Sequence, residues 1–177
     1  MKKIIIYSIL SFLFTQAIFA KENLKSLVVY FSHTGTTQKM ANYIAEMTKA
    51  DIFRLESAEP YPAQYKSCTV VAKEERDNKI YRKIKSSVNL DGYETIFIGV
   101  PVWWHTCPMI VQGWILQNQK SFEGKTVIPF CTYASTFRDE TLSKITELTP
   151  KSIHKKGLGL TNPTKQDVKI WLDSIKK

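Results

Sequence analysis

A loop near the start of the chain has the composition of an anion-binding site. Strand-forming residues precede it, a helical pattern follows it, and four of its six side chains carry hydroxyl groups. The N-terminus of a helix presents unpaired N–H groups and a positive dipole end, so hydroxyls and backbone amides can together bind a phosphate without Lys or Arg. A glycine lets the backbone approach such a ligand closely. We therefore predict a phosphate site formed by Ser32, His33, Thr34, Gly35, Thr36 and Thr37.

A simple helix cap, a glycine-rich nucleotide loop and a phosphatase loop each fit this chain less well. Ser and Thr are common helix caps, but a cap uses one hydroxyl and this loop has four. The chain has neither a GxxxxGK(S/T) motif nor a GxGxxG motif after a strand, which argues against the nucleotide loops that those motifs identify. The spacing between Cys131 and Arg138 is one residue too long for a phosphatase loop.

A second distinctive stretch contains two adjacent indoles between two prolines. Indole rings stack well on flat aromatic ligands, although one of the two tryptophans could instead belong to the core. His105 is a candidate for a hydrogen bond or a proton transfer to such a ligand, while a lone loop histidine is more often a surface residue. The candidate contacts here are Pro101, Val102, Trp103, Trp104 and His105.

The elements that must position these loops alternate between strand and helix. Apolar runs predict strands at 26–31, 52–55, 95–100 and 126–131, and a weaker strand at 153–160 with Lys155 and Lys156 in its middle, which suits a sheet edge. Helical patterns cover 37–49, 65–79, 109–119 and 140–148, and a last helix is predicted to begin at Asn162 and Pro163. Such alternation predicts a parallel sheet with helices on both faces, whose ligand lies beyond the carboxyl ends of the strands.

The residues of the first loop also resemble a known family. The pattern Ser/Thr-x-Thr-Gly-x-Thr, matched here by Ser32, Thr34, Gly35 and Thr37, resembles the phosphate loop of flavodoxins. Segments 59–62, 99–104 and 124–132 are similar to those of a bacterial flavodoxin-like subfamily, so the resemblance covers about residues 25–175. It implies a three-layer α/β sandwich with a five-stranded parallel sheet in the order 2-1-3-4-5.

The resemblance further implies non-covalent FMN, with its phosphate on residues 32–37 and its ring against residues 101–105. The implied activity is electron transfer, as a carrier or as a flavin-dependent reductase. The loop after the fourth strand departs from the family because it has no glycine, and Thr132 and Tyr133 are the predicted cofactor contacts there. A flavodoxin-fold binding module that does not hold FMN is the alternative.

The first twenty residues have the layout of a secretory signal peptide. Lys2 and Lys3 precede an apolar run, and Ala20 ends a stretch of small and apolar residues just before Lys21. We predict cleavage after Ala20, a mature domain at 21–177 and a periplasmic or secreted location. An uncleaved N-terminal anchor is the alternative, although the apolar run is short for a spanning helix, which needs about 20 residues.

The predicted mature chain is basic. Without Lys2 and Lys3 it carries 23 Lys and Arg against 16 Asp and Glu, a formal charge of +7. Flavodoxins are typically acidic, so the resemblance implies a different partner here: a redox protein or a small electron acceptor such as a quinone. Basic residues of the C-terminal third could contact a membrane surface, whereas export argues against nucleic acid.

Three cysteines complete the set of reactive residues. Cys68, Cys107 and Cys131 form no CxxC pair, and the three histidines stand apart from them, so neither a thioredoxin-like motif nor metal-ligand spacing is present. An odd number leaves at least one thiol free or bonded to another chain. A disulfide between Cys107 and Cys131 is conceivable if the third and fourth strands are neighbours.

Overall fold

The computed structural model describes residues 25–176, and the predicted leader with its cleavage site after Ala20 lies outside them. The strands are β1 Lys25–Tyr30, β2 Asp51–Arg54, β3 Tyr93–Pro101, β4 Thr126–Thr132, β5 Ile153–His154 and β6 Leu158–Leu160. The helices are α1 Thr36–Thr48, α2 Tyr65–Asn78, α3 Met109–Gln117, α4 Arg138–Leu148 and α5 Lys165–Ile175, with a short 3-10 helix at Gln119–Phe122.

The strands form one parallel sheet in the order β2-β1-β3-β4-β5, which confirms the predicted order. β1 and β3 are almost wholly buried in their second halves, as expected for strands that helices cover on both faces. Because these strands are parallel neighbours, the carboxyl ends of β1, β3 and β4 lie side by side at the same end of the sheet.

The outer edge differs from the prediction of one strand at 153–160. β5 and β6 are separate short strands, and both pair with β4. The backbone of Val127 faces this edge, because its carbonyl accepts from Lys155 N at 3.3 Å. Pro129, two residues on, faces the same side and has no N–H to donate. The ladder is therefore interrupted at residues 155–157 and resumes at Leu158.

Each face of the sheet packs on its own set of helices. Leu27, Val29 and Ile98 belong to one core, which also holds side chains of α2, α3 and α4. Val28 and Phe97 belong to the other, with side chains of α1 and α5. Alternate residues of a strand point to opposite faces, so these two cores define the predicted three-layer sandwich.

The last helix begins two residues later than predicted. Thr164 is its N-cap, and the Thr164 hydroxyl accepts from Asp167 N at 3.2 Å. Pro163 is buried just before the cap, so it ends the preceding loop instead of opening the helix. No helix within residues 25–176 combines the length and apolar character that crossing a bilayer would need.

Candidate functional site

A cavity of about 580 Å³ lies at the carboxyl ends of β1, β3 and β4, within the size range of ligand pockets. All the sequence-predicted site residues except Gly35 line it. The lining residues are Ser32, His33, Thr34, Thr36, Thr37, Tyr65, Cys68, Thr69, Ala72, Pro101, Val102, Trp103, Trp104, His105, Thr132, Tyr133, Ala134, Ser135, Thr136, Phe137 and Thr161.

Gly35 does not line the cavity, but its backbone sets the shape of the first loop. It is the N-cap residue of α1 with a φ of 96°, a conformation that other residues adopt only with strain. Gly35 N donates to Ser32 Oγ at 3.1 Å, which closes the loop on itself. In the described chain α1 has neither a side-chain cap nor an acidic residue in its first turn. The positive end of the helix is therefore available to an anion.

Thr37 and Thr132 line the cavity as a bonded pair. Both are buried, and their hydroxyl oxygens lie 2.7 Å apart. This bond joins the start of α1 to the end of β4. Thr34 and Thr36, which are exposed and half-buried, are therefore the more accessible hydroxyls of the first loop.

Hydroxyl groups outside the predicted loops reach the same cavity. Ser135 and Thr136 follow β4, and Thr161 follows β6. The rule that ligands lie beyond the carboxyl ends of strands could have found Thr161, had the weak edge strand been divided correctly. Of the described residues that line the cavity, none is Lys, Arg, Asp or Glu.

The second loop is a tight hairpin with backbone strain. Trp103 N donates to Thr106 O at 3.0 Å, and Thr106 N donates to Trp103 O at 3.1 Å. The two residues between them, Trp104 and His105, have φ values of 48° and 70°, as a type I′ turn requires. Non-glycine residues in this region cost on the order of 1–3 kcal/mol each, and such strain concentrates at ligand sites.

Trp103 belongs to an aromatic cluster behind the cavity. Its ring meets those of Tyr61, Phe31 and His33 edge-on, with centroid distances of 5.0, 5.2 and 5.8 Å. The expectation that one indole belongs to the core is therefore met in part, because Trp103 packs against the buried cluster while still lining the cavity.

Trp104 is fixed to helix α2 instead. Its Nε1 donates to Thr69 O at 2.8 Å. The Arg76 guanidinium lies 5.3 Å from the indole centroid, and Arg76 Nη1 donates to Trp104 O at 3.3 Å. The two indoles thus diverge from one short turn and are held by different parts of the chain.

A buried charged network supports the aromatic cluster, and no sequence pattern pointed to it. Tyr61 OH donates to Glu75 Oε2 at 2.7 Å, and Arg82 forms an ion pair with the same carboxylate. The Arg82 guanidinium also lies 4.1 Å from the Tyr61 ring centroid. Burial, followed by the bond to Glu75, raises the pKa of the Tyr61 hydroxyl. Glu75 is one of three acidic residues in a polar helix, so the sequence does not single it out as the buried member of a network.

His105 stacks on Phe137, with ring centroids 3.6 Å apart and an interplanar angle of 20°. Phe137 is the N-cap residue of α4 and has a φ of 64°. The stack joins the loop after β3 to the loop after β4 at the exposed side of the cavity. A role of His105 in proton transfer stays a prediction.

The three cysteines are free and buried, so Cys107 and Cys131 do not form the conceivable disulfide. Burial raises the pKa of all three thiols, that of Cys131 to about 12. Since the thiolate is the reactive form, these side chains are poor nucleophiles in the folded protein. Across residues 25–176, no three His, Cys, Asp or Glu side chains gather in a way that could hold a metal ion.

This strand order, with a cavity beyond β1, β3 and β4, defines a flavodoxin-like α/β protein. The flavodoxin family model matches residues 25–175, and the chain belongs to the flavodoxin family. No curated protein matches the sequence.

Solved structures from three bacteria are similar to this chain. A protein from Bacteroides eggerthii assigned as a flavoprotein is 32% identical, with a TM-score of 0.74 over 86% of this chain and 98% of its own. A protein from Bacteroides uniformis with the same assignment is 31% identical, with a TM-score of 0.73 over 86% and 99%. A Lactobacillus acidophilus flavoprotein solved in complex with FMN is 22% identical, with a TM-score of 0.71 over 86% and 99%.

Proposed function

We propose that this protein binds FMN in the cavity and transfers electrons, as a carrier or as a flavin-dependent reductase. The observation that carries the proposal is the cavity lining, which combines an uncapped helix N-terminus and hydroxyls with aromatic rings and no charged side chain among the described residues. Membership of the flavodoxin family and the Lactobacillus acidophilus structure with FMN support it.

The first loop would hold the phosphate. Thr34 and Thr36 offer accessible hydroxyls, and the first-turn amides of α1 add N–H donors and the positive end of the helix dipole. Hydrogen bonds from neutral donors to a charged acceptor contribute on the order of 1.5–3 kcal/mol each. This loop can therefore hold a dianionic group without a salt bridge.

The aromatic side of the cavity would hold the ring. Trp103, Trp104 and Tyr133 line it, and their rings offer faces and edges to a flat ligand. When bound, FMN supplies one- and two-electron redox chemistry. The chain's own part is to fix the ring against the strained Trp104–His105 turn and to limit water through the His105–Phe137 stack.

A flavodoxin-fold module without FMN is the second candidate. The observation that favours it is the Thr37–Thr132 hydrogen bond, which occupies a hydroxyl of the phosphate motif. The loop after β4 also presents Tyr133, Ala134 and Ser135 where glycines would leave open backbone. Under this alternative the cavity would take another uncharged ring or a phosphate alone.

We further propose that the protein works outside the cytoplasm, since residues 1–20 have the layout of a signal peptide. Its partner would be an acidic redox protein or a small electron acceptor such as a quinone, because the predicted mature chain carries +7. Exposed Lys155 and Lys156 are candidates for contact with an anionic membrane surface.

The deciding experiment is a visible spectrum of the mature protein purified from the periplasm. Flavin absorbance that is released on denaturation, with FMN identified in the supernatant by mass spectrometry, is the expected result. A colourless protein that also fails to take up added FMN would establish the second candidate. Recovery of the protein only from the cytoplasm, with residues 1–20 still attached, would contradict the proposed location.

A further inference from the structure

A second cavity, of about 260 Å³, lies between the loop after β1 and the loop after β2. It is smaller than the pockets that hold drug-sized ligands, which measure about 300–1,000 Å³, so a ligand that fills it is small. Ser32 and His33 of the first loop border this cavity as well as the proposed cofactor cavity. The two cavities are therefore neighbours on either side of one loop.

The aromatic cluster separates the second cavity from the proposed cofactor cavity. Phe31 and Tyr61 line the second cavity but not the first, whereas Trp103 lines the first but not the second. Trp103 meets these two rings edge-on, with centroid distances of 5.2 and 5.0 Å. A ligand in the second cavity therefore lies against Phe31 and Tyr61, and not against the rings that we assign to the flavin.

Three charged side chains meet at the second cavity because residues 56–58 pair with residues 83–85 as antiparallel strands. Lys85 N donates to Glu56 O at 2.8 Å, which sets Lys85 beside Glu56, and β2 ends at Arg54 on the other side. Arg54 Nε and Lys85 Nζ lie 3.8 and 3.6 Å from the two oxygens of the Glu56 carboxylate. Two cations against one anion leave this part of the lining with one net positive charge.

Both cations keep donors for a further partner. Their distances from Glu56 exceed the value of about 2.7–2.9 Å for a charge-assisted hydrogen bond, so neither side-chain cation is directly hydrogen-bonded to the Glu56 carboxylate. Arg54 is held instead by the main chain, because its Nη2 donates to Ser32 O at 3.1 Å. The remaining N–H groups of the guanidinium are fixed in direction by this bond and are open to an acceptor in the cavity.

Ser57 gives an independent indication of a ligand. It lines the second cavity, and its hydroxyl oxygen is buried without a hydrogen-bond partner in the described part of the chain. Buried polar groups of folded proteins are nearly always hydrogen-bonded. An acceptor placed in the cavity would satisfy this hydroxyl and meet the donors of Arg54 at the same time.

We propose that the second cavity binds a small monocarboxylate with an apolar body. The planar fork of an arginine matches the geometry of a carboxylate, and the Ser57 hydroxyl adds a third kind of donor. One carboxylate balances the single net positive charge, whereas a phosphate dianion would place excess negative charge beside Glu56. Phe31 and Tyr61 provide the apolar surface for the rest of the ligand. The site does not depend on a bound flavin.

The experiment titrates the ¹⁵N-labelled, FMN-free protein with benzoate and follows the amide chemical shifts by NMR. The amides of residues 54–58 and 85 should shift, and benzamide, which has the same shape without the charge, should bind at least tenfold more weakly. Arg54→Gln should weaken benzoate binding about tenfold and Ser57→Ala about threefold. Lys83→Gln is the matched control and should bind like the wild type, because Lys83 is exposed on the same segment as Lys85 and lies outside the lining.

The double variant Thr34→Ala, Thr36→Ala separates this site from the cofactor cavity. It should bind benzoate like the wild type, and a loss of binding would place the carboxylate on the phosphate loop and overturn the proposal. Wild-type affinity in both Arg54→Gln and Ser57→Ala overturns it too. Tighter binding of inorganic phosphate than of benzoate at the same residues overturns the monocarboxylate class. Because the titration needs no flavin, a protein that takes up no FMN would contradict only the proposed function.

Discussion

The two sides of the cavity are built from different kinds of contact. On the α1 side, residues 32–37 form one continuous loop, closed by the Gly35–Ser32 hydrogen bond and the left-handed backbone of Gly35. On the α2 side, the indoles of residues 103 and 104 are held by side chains and carbonyls from distant parts of the chain. The first side is a local structure, and the second depends on the tertiary fold.

This difference separates ligand binding from stability. A change at Thr34 or Thr36 removes an accessible hydroxyl donor from the first loop. A change in the Tyr61–Glu75–Arg82 network leaves charged or polar groups buried without partners. Variants of the α1 side should therefore lose ligand affinity, whereas variants of the network should lose stability.

The largest effect is expected from Glu75→Ala. It leaves Arg82 and the Tyr61 hydroxyl without their buried partner, and removing one member of a buried ion pair costs on the order of 3–5 kcal/mol. Urea denaturation followed by circular dichroism measures the loss. The neighbouring exposed Glu74 provides the control, and Glu74→Ala should unfold like the wild type. Equal stability of the two variants would show that the network does not support the α2 side.

The double variant Thr34→Ala, Thr36→Ala should leave the fold intact and weaken FMN binding. Loss of two hydroxyl donors to a charged acceptor costs about 3–6 kcal/mol in sum. Titration of the FMN-free protein with FMN, followed by quenching of flavin fluorescence, measures the affinity. Thr48→Ala is the control, since Thr48 lies at the far end of the same helix and bonds to Ile44 O. An unchanged affinity would place the phosphate elsewhere.

Gly35→Ala should affect both properties. A left-handed conformation costs a non-glycine residue roughly 1–2 kcal/mol, although an added Cβ meets no atom within 4 Å. Gly124 has a φ of 74° and equally open surroundings, so Gly124→Ala should lose similar stability. FMN affinity should fall only in Gly35→Ala. A similar fall in Gly124→Ala would mean that lower stability alone, and not the loop, weakens binding.

Trp104→Phe should produce a smaller change. It removes the Nε1 hydrogen bond to Thr69 O and keeps an aromatic ring, a loss of about 1 kcal/mol. Amide hydrogen exchange of residues 103–106 should rise, while the exchange of residues 32–37 stays as in the wild type. A rise in both loops would show that the two sides of the cavity are coupled.

The last expected effect, which is absent at neutral pH, is a dependence of stability on pH in alkaline solution. Burial raises the pKa of Cys131 to about 12 in the folded protein, above the value of about 8.5 for an ordinary thiol. The folded state therefore favours the neutral thiol. This stabilisation is present below the ordinary pKa and is lost as the pH rises towards 12. Between these two pKa values, the free energy of unfolding of Cys131→Ala, measured by urea denaturation, should depend less on pH than that of the wild type. An unchanged pH dependence would contradict the raised pKa of Cys131.

The sequence predicted the α1 side more completely than the α2 side. The hydroxyls and the glycine of residues 32–37 are adjacent in the chain, so their composition was visible before the fold. The parallel sheet followed from the strand–helix alternation, and the strand order followed from the family resemblance. Tyr65, Phe137 and the Glu75 network could not be found in this way, because each acts through a contact between distant segments. The division of the edge strand into β5 and β6 could not be predicted without knowing which way the backbone of Pro129 faces.

Pro129 also bears on how the protein behaves at high concentration. Continuous free edges of sheets invite other chains to add a strand, and short or broken edge strands discourage this. Because the missing N–H of Pro129 divides the outer edge into β5 and β6, of two and three residues, a neighbouring molecule finds no extended template there. The same proline that limits the sheet therefore protects the protein from aggregation along that edge.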